Sequence, residues 1–172
     1  MPGHVLDACF IEDLRTADLL ATSCMNLEQP MVGGFAASAG TELASRIAEL
    51  KRCRVRIRYL EPAEVGEQLA LQVNHHALSF ADAEALVIAQ AEKAVLLTGD
   101  GSLRKAAHEA GIEVRGVIGE LKGLVVRAII DPPRALSALD SIVASGSRLP
   151  HDKVEAAQRQ WSRMIDRGRG ED

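Results

Sequence analysis

The stretch Leu78–Gly116, LSFADAEALVIAQAEKAVLLTGDGSLRKAAHEAGIEVRG, decides the fold of this chain. Ser79 followed three places later by Asp82 is a helix-start pattern. The Ala-rich run Ala81–Ala94 that follows carries Ala85, Ile88 and Ala89 at helical spacing. Val95-Leu96-Leu97-Thr98 is a short, nearly continuous apolar run, which predicts a strand covered on both faces. Ser102–Ala110 predicts a second helix, stopped by Gly111 in the position where a helix terminates in glycine. Ile112–Val117 predicts the next strand. A strand, helix and strand joined by such short links form a parallel crossover unit, and that makes the domain α/β.

Outward from this unit, His4-Val5-Leu6 predicts a strand and Phe10–Leu20 a helix. A further helix is expected between Ala36 and Leu50, with Leu43, Ile47 and Leu50 on one side. Cys53-Arg54-Val55-Arg56-Ile57-Arg58-Tyr59 alternates strictly, so it predicts a strand with apolar residues inward and arginines outward. Beyond Gly116, Leu121–Ile130 is apolar enough to pack on the core. Asp131-Pro132-Pro133 opens a helix, with proline tolerated in its first turn. Ser145–Pro150 reads as a linker. Asp152 caps a last helix whose Val154, Ala157, Trp161 and Met164 form a stripe, expected to cover a neighbouring helix or a partner subunit. The organisation expected is a main domain over 1–130, a helical extension over 131–166 and a flexible tail over 167–172.

Composition narrows the function. One Trp, one Tyr and three Phe in 172 residues cannot line a long groove of stacked bases. A net charge of −4 provides no global basic field, so any nucleic-acid contact has to come from local Lys and Arg. Three cysteines without a C-x-x-C spacing read as reduced thiols rather than a disulfide or zinc site. The opening MPGHVLDACF lacks the pattern of a signal peptide, and no run approaches a membrane span. The expectation is a cytoplasmic protein.

In open α/β sheets, functional groups collect past the carboxyl ends of the strands. Asp7 follows the first strand and Asp100 follows Val95–Thr98. Asp82 starts the helix that leads into the second of these strands, so it begins at the same edge, and Glu42 lies near the start of its own helix. Two carboxylates about 5 Å apart at an effective dielectric near 20 repel by on the order of 3 kcal/mol. Such a group protonates, spreads or takes up a cation. Oxygen-only ligands suit Mg²⁺ or Mn²⁺, which activate water and stabilise charge on a phosphate. The chemistry implied is phosphodiester hydrolysis.

The sequence resembles the PIN-domain nucleases. Leu78–Gly116 looks like the family's third-acid helix, its L-T-x-D strand end and the helix and strand beyond. VLDACFIEDL resembles the first strand with its leading aspartate, and TELASRIAEL the helix carrying the second acid. The resemblance implies that Asp7, Glu42, Asp82 and Asp100 are the catalytic, metal-holding acids, with Thr98 in the hydroxyl position beside the last. It implies a Rossmann-like three-layer α/β domain with a mainly parallel central sheet, Mg²⁺- or Mn²⁺-dependent RNA cleavage and a homodimer. Many small members resembling this chain are VapC-like toxins restrained by an antitoxin protein.

The chain departs from the family pattern after Asp7, where a Ser, Thr or Asn often follows within two positions and Ala8-Cys9 stands here. Together with the acidic net charge, that departure motivates an alternative: a non-catalytic module with the fold but a weakened metal site. A phosphate receiver or phosphatase using Asp7 as nucleophile ranks below both. Lys105 and Lys122 are poorly placed for a receiver, and Cys9 stands where a phosphatase needs a second aspartate. Each residue also has a plainer reading. Asp7 and Asp82 sit where helix caps belong, and Asp100-Gly101 forms a turn. Glu84, two places past Asp82, points away from it and is expected at most to support the acids, and Glu12 and Asp13 read as a solvated helix face. Arg52, Arg54, Arg56 and Arg58 read as the charged face of an edge strand, while Arg104 and Lys105 are the RNA-contact candidates. Adjacent His75-His76 cannot face one ion and read as a helix end or loop. Gly33-Gly34 and Gly99-Asp100-Gly101 form no phosphate loop, since no G-K-[ST] follows.

Overall fold

The computed structural model describes residues 2–38 and 43–169. Among them lies one parallel sheet of β1 (His4–Leu6), β2 (Pro30–Gly33), β3 (Arg56–Arg58), β4 (Val95–Leu97) and β5 (Val114–Arg115), in the order β3-β2-β1-β4-β5. The connecting helices are α1 (Ala8–Thr16), α2 (Leu20–Met25), α3 (Gly34–Ala37), α4 (Leu43–Arg52), α5 (Pro62–Asn74), α6 (Phe80–Ala91), α7 (Gly101–Glu109), α8 (Val117–Val126), α9 (Pro132–Ala144) and α10 (His151–Arg169). The α/β reading therefore holds, with the central strands buried on both faces.

Successive strand residues face opposite sides of a sheet, and the core divides accordingly. Leu6, Val32, Val95 and Leu97 join the side covered by α1, α8, α9 and α10. Val5, Met31 and Leu96 join the side covered by α6 and α7. Trp161 is completely buried among the first group, with Ala157 and Val154 one and two turns before it. Met164, expected in the same stripe, is exposed. The helix that carries Trp161 thus covers a neighbour within its own chain.

Several local expectations are corrected. The helix foreseen over Phe10–Leu20 breaks, because Asp18 adopts a left-handed φ of 53° and α2 starts afresh at Leu20. The strand foreseen over Cys53–Tyr59 shortens to Arg56–Arg58, an edge strand pairing with β2 alone. Arg56 is exposed as expected, but Arg58 is drawn in to bond both carboxylate oxygens of Glu64 and to meet Glu92. The strand at Ile112–Val117 narrows to Val114–Arg115, and α8 begins at Val117 rather than Leu121. His75 is the C-cap of α5, as the helix-end reading expects. The segment holding Glu42 lies outside the described residues, as does the end of the tail foreseen over 167–172, while α10 runs through Arg169. Among the described residues, no helix is long and apolar enough to cross a membrane.

Candidate functional site

The strand order places the functional edge. From β1 the chain builds outward through β2 to β3, then returns to β4 on the other side of β1. The carboxyl ends of β1 and β4 flank the point where that order reverses, the position at which open α/β sheets bind ligands. The register pairs Leu6 with Leu97, so the next residues, Asp7 and Thr98, emerge side by side. The Asp7 amide donates to the Leu97 carbonyl at 3.0 Å.

Both carboxylate oxygens of Asp7 are engaged. Oδ1 accepts from the Ala8 amide at 2.6 Å, which makes Asp7 the cap of α1. Oδ2 accepts from the Thr98 hydroxyl at 2.7 Å and from the Cys9 thiol at 2.8 Å. Thr98 Oγ1 in turn accepts from the Asp100 amide at 3.0 Å, and Cys9 Sγ accepts from the Gly99 amide at 3.3 Å. One buried hydroxyl and one thiol therefore join the end of β1 to the loop after β4. Asp100 caps α7, its Oδ1 accepting from the Leu103 amide at 2.8 Å, with the residue exposed. Asp82 completes the capping box expected with Ser79, accepting from the Ser79 amide at 2.7 Å through Oδ2.

Burial pushes the Asp7 carboxyl above the ordinary aspartate range. The bonds from Cys9 and Thr98 pull it back in part, and the negative charge of Asp82 pushes it up further. Asp82 therefore acts on Asp7 across the edge. The Cys9 thiol is pushed up to about 12, first by burial and then by Asp7 beside it. It stays a protonated donor, occupying the place where the family often carries a hydroxyl or amide. The Ala8-Cys9 departure thus leaves Asp7 with the hydrogen bond whose loss would have weakened the site.

Two acids play parts that their sequence positions concealed. Glu84 is buried, and its Oε2 accepts from the Phe35 amide at 2.9 Å, with further bonds from the amides of Gly34 and Ala36. It caps α3 instead of approaching Asp7. Gly33 leaves room for the Glu84 carboxylate and Gly34 for the Tyr59 ring. A Cβ on Gly33 would lie 2.5 Å from Glu84 Cδ, and one on Gly34 would lie 2.7 Å from the Tyr59 ring. Glu84 so pins the segment entering the stretch that carries Glu42. The other end, α4, is tied to α1 by Arg15 with Glu49 and by Arg46 with Glu12. Glu12 is exposed, as a solvated face requires, but Asp13 is not: it is buried beside Gly99 and hydrogen-bonded to the Ser147 side chain. Asp13 lies one helical turn beyond Cys9, and that i to i+4 spacing was the available signal.

Arg104 is half-buried, its Nη1 donating to the Thr98 carbonyl at 3.0 Å, so it braces the loop beneath Asp100. Lys105 is exposed beside it.

A family model described as a PIN domain matches residues 39–163. The chain belongs to the PIN-domain family. No curated protein matches it. The PIN fold is a nuclease fold whose enzymes generally use divalent metal ions. The match begins after β1, yet β1 is hydrogen-bonded between β2 and β4, so Asp7 belongs to the same PIN sheet as the matched residues.

Whether these residues suit a divalent cation turns on the donor set. Among the described residues, no three His, Cys, Asp or Glu side chains gather closely enough to chelate an ion unaided. Mg²⁺, however, is held by one or two carboxylates while keeping several waters and taking substrate phosphate oxygens. Asp7, destabilised as an anion by burial and by Asp82, is a hard oxygen ligand that a cation would relieve. Asp7, with the Asp100 backbone amide tied to it through Thr98, meets the one-or-two-carboxylate requirement of such an ion.

Proposed function

We propose that this PIN-domain protein is a divalent-metal-dependent endoribonuclease that hydrolyses RNA phosphodiester bonds. The observation that carries the reading is Asp7: a buried carboxylate at the point of strand-order reversal, raised by burial and by Asp82, and linked to Asp100 through one threonine hydroxyl. Asp7, Asp82 and Asp100 would hold Mg²⁺ or Mn²⁺, with Glu42 as the fourth acid that the family resemblance supplies. A bound divalent ion lowers the pKa of water and stabilises charge developing on the phosphate and its leaving oxygen.

The protein's own groups do the remaining work. Thr98 and Cys9 both donate to Asp7 Oδ2 and so fix the orientation of that carboxylate. Arg104 holds the Thr98 carbonyl, which steadies the strand end from which Thr98 and Asp100 project. Lys105, exposed on α7, would contact the RNA backbone and position it without reading sequence.

A VapC-like toxin role, an antitoxin partner and a homodimer belong to the same proposal. Support for a protein partner comes from Val65, Leu69 and Val73, an exposed apolar stripe at one-turn spacing on α5. Light scattering of the purified chain tests the dimer. Co-purification with the product of an adjacent small reading frame tests the antitoxin.

The deciding experiment is cleavage of a mixed single-stranded RNA panel with Mn²⁺, Mg²⁺ or EDTA, beside Asp100→Asn. Metal-dependent cleavage that disappears in the variant is expected. Equal residual cleavage by both proteins identifies a contaminant and overturns the reading. Absence of cleavage by either, with no metal-induced rise in Tm, moves the assignment to a non-catalytic binding module.

A further inference from the structure

Beside the acidic edge, on the side away from Asp82's helix, lies a pocket of about 500 Å³ that shares Cys9 and Asp100 with that edge. One wall is α1, through Cys9, Glu12, Asp13 and Thr16. Another is the Gly99-Asp100 turn, and the third is the α9–α10 linker at Ser147 and Arg148. The volume falls in the range of small-ligand sites. Asp13 is the unusual member of this lining. It is 8% exposed, its Oδ2 lies 3.9 Å from where a Cβ on Gly99 would stand, and the Ser147 side chain bonds to it. A buried carboxylate costs stability unless it is paired or hydrogen-bonded, and Asp13, bonded to Ser147, lines the same pocket as Asp100 and an exposed Arg148.

We infer that this pocket receives the base of a nucleotide flanking the scissile phosphate and that Asp13 is a specificity-determining residue. The inference rests on the endoribonuclease reading. Its chemistry follows from the base edges. An ionised carboxylate accepts hydrogen bonds and donates none. Guanine offers adjacent N1–H and N2–H donors, and adenine and cytosine each offer an exocyclic amine. Uracil offers a single N3–H between two carbonyl oxygens, and those oxygens repel an anion. Asp13 thus selects against uracil in this subsite. Arg148 at the rim is suited to the adjoining phosphate.

The opening at Gly99 makes the inference separable from folding. A methyl there would lie 3.8 Å from Cys9 Sγ and 3.9 Å from Asp13 Oδ2, ordinary contact distances. Gly99→Ala therefore narrows the pocket without displacing either group and keeps the amide that bonds to Cys9. Asp13→Asn keeps the shape and adds a donor, so uracil is no longer repelled.

The test is cleavage of a randomised single-stranded RNA pool with Mn²⁺, with the new ends sequenced, for the wild-type chain, Asp13→Asn and Gly99→Ala. Expected in the wild type is discrimination against uracil at one fixed position next to the cut. Asp13→Asn reduces that discrimination by about tenfold, the scale of one polar base contact. Gly99→Ala alters base preference at that same position, penalising purines above pyrimidines. Metal-dependent cleavage with identical base preferences in all three proteins overturns the pocket assignment and leaves the nuclease standing. A wild-type protein that cleaves nothing overturns the nuclease reading and this inference with it.

Discussion

Gly33→Ala tests how the fold holds the segment that leads toward Glu42. The added methyl would lie 2.5 Å from Glu84 Cδ and 2.9 Å from Glu84 Cγ, so the whole side chain must move and not merely its tip. Glu84 is 2% exposed, and its carboxylate is the acceptor for the amides of Gly34, Phe35 and Ala36 at the start of α3. Losing a helix cap costs roughly 0.5–2 kcal/mol, and leaving a buried donor without a partner costs roughly 1–3 kcal/mol. The two overlap, so the sum expected is about 2–4 kcal/mol. For a domain of this size that lowers Tm by about 5–15 °C. The assay is thermal unfolding of the wild type, Gly33→Ala, Glu84→Ala and the double variant. Glu84→Ala is also expected to be costly, because the same amides lose their acceptor. In its background Gly33→Ala no longer meets the Glu84 carboxylate, its nearest neighbour, and should cost about 1 kcal/mol or less, the ordinary disadvantage of alanine against glycine at an N-cap. Costs that simply add would refute the reasoning, since contacting residues must couple. So would a single Gly33→Ala change that left Tm within about 2 °C, a shift worth under roughly 1 kcal/mol.

Three further outcomes are expected. The folded-state pKa of Asp7 is raised, so its contribution to stability is fully present below the unfolded value and is lost as pH rises through the folded one. A cation competes with that proton, so the rise in Tm caused by Mn²⁺ should be larger at pH 8 than at pH 5 and absent in Asp7→Asn; a rise independent of pH would refute this. Cys9→Ser preserves a donor to Asp7 and should retain metal-dependent cleavage, whereas Cys9→Ala removes it and should lower the rate several-fold; equal rates in the two variants would deny Cys9 its role. Trp161 is fully buried in the core shared by α8, α9 and α10, so Trp161→Ala should cost about 3–5 kcal/mol in denaturant unfolding. A loss below 1 kcal/mol, roughly a surface substitution, would show that α10 is not part of that core.

What the sequence alone determined was local and periodic. The helix caps at Asp7, Ser79 and Asp131, the glycine stop at Gly111 and the apolar run at Val95–Leu97 are short-range signals, and each appears where the residues require it. They suffice for an α/β fold with Asp7 and Asp100 past the carboxyl ends of two neighbouring strands. β2 and α5 escaped for physical reasons. β2 is four residues long and starts at a proline, too short to show a period. α5 keeps Val65, Leu69 and Val73 in solvent, so its apolar spacing marks no burial. Tertiary structure alone decided the rest, because those facts depend on partners distant in sequence. Cys9 meets Gly99 and Thr98 only once β1 and β4 lie side by side. Gly33 is small because Glu84 arrives from another helix. Asp13 is buried where the α9–α10 linker, far along the chain, packs against it through Ser147. A carboxylate's environment is set by whatever packs against it, and packing has no period that a sequence can display.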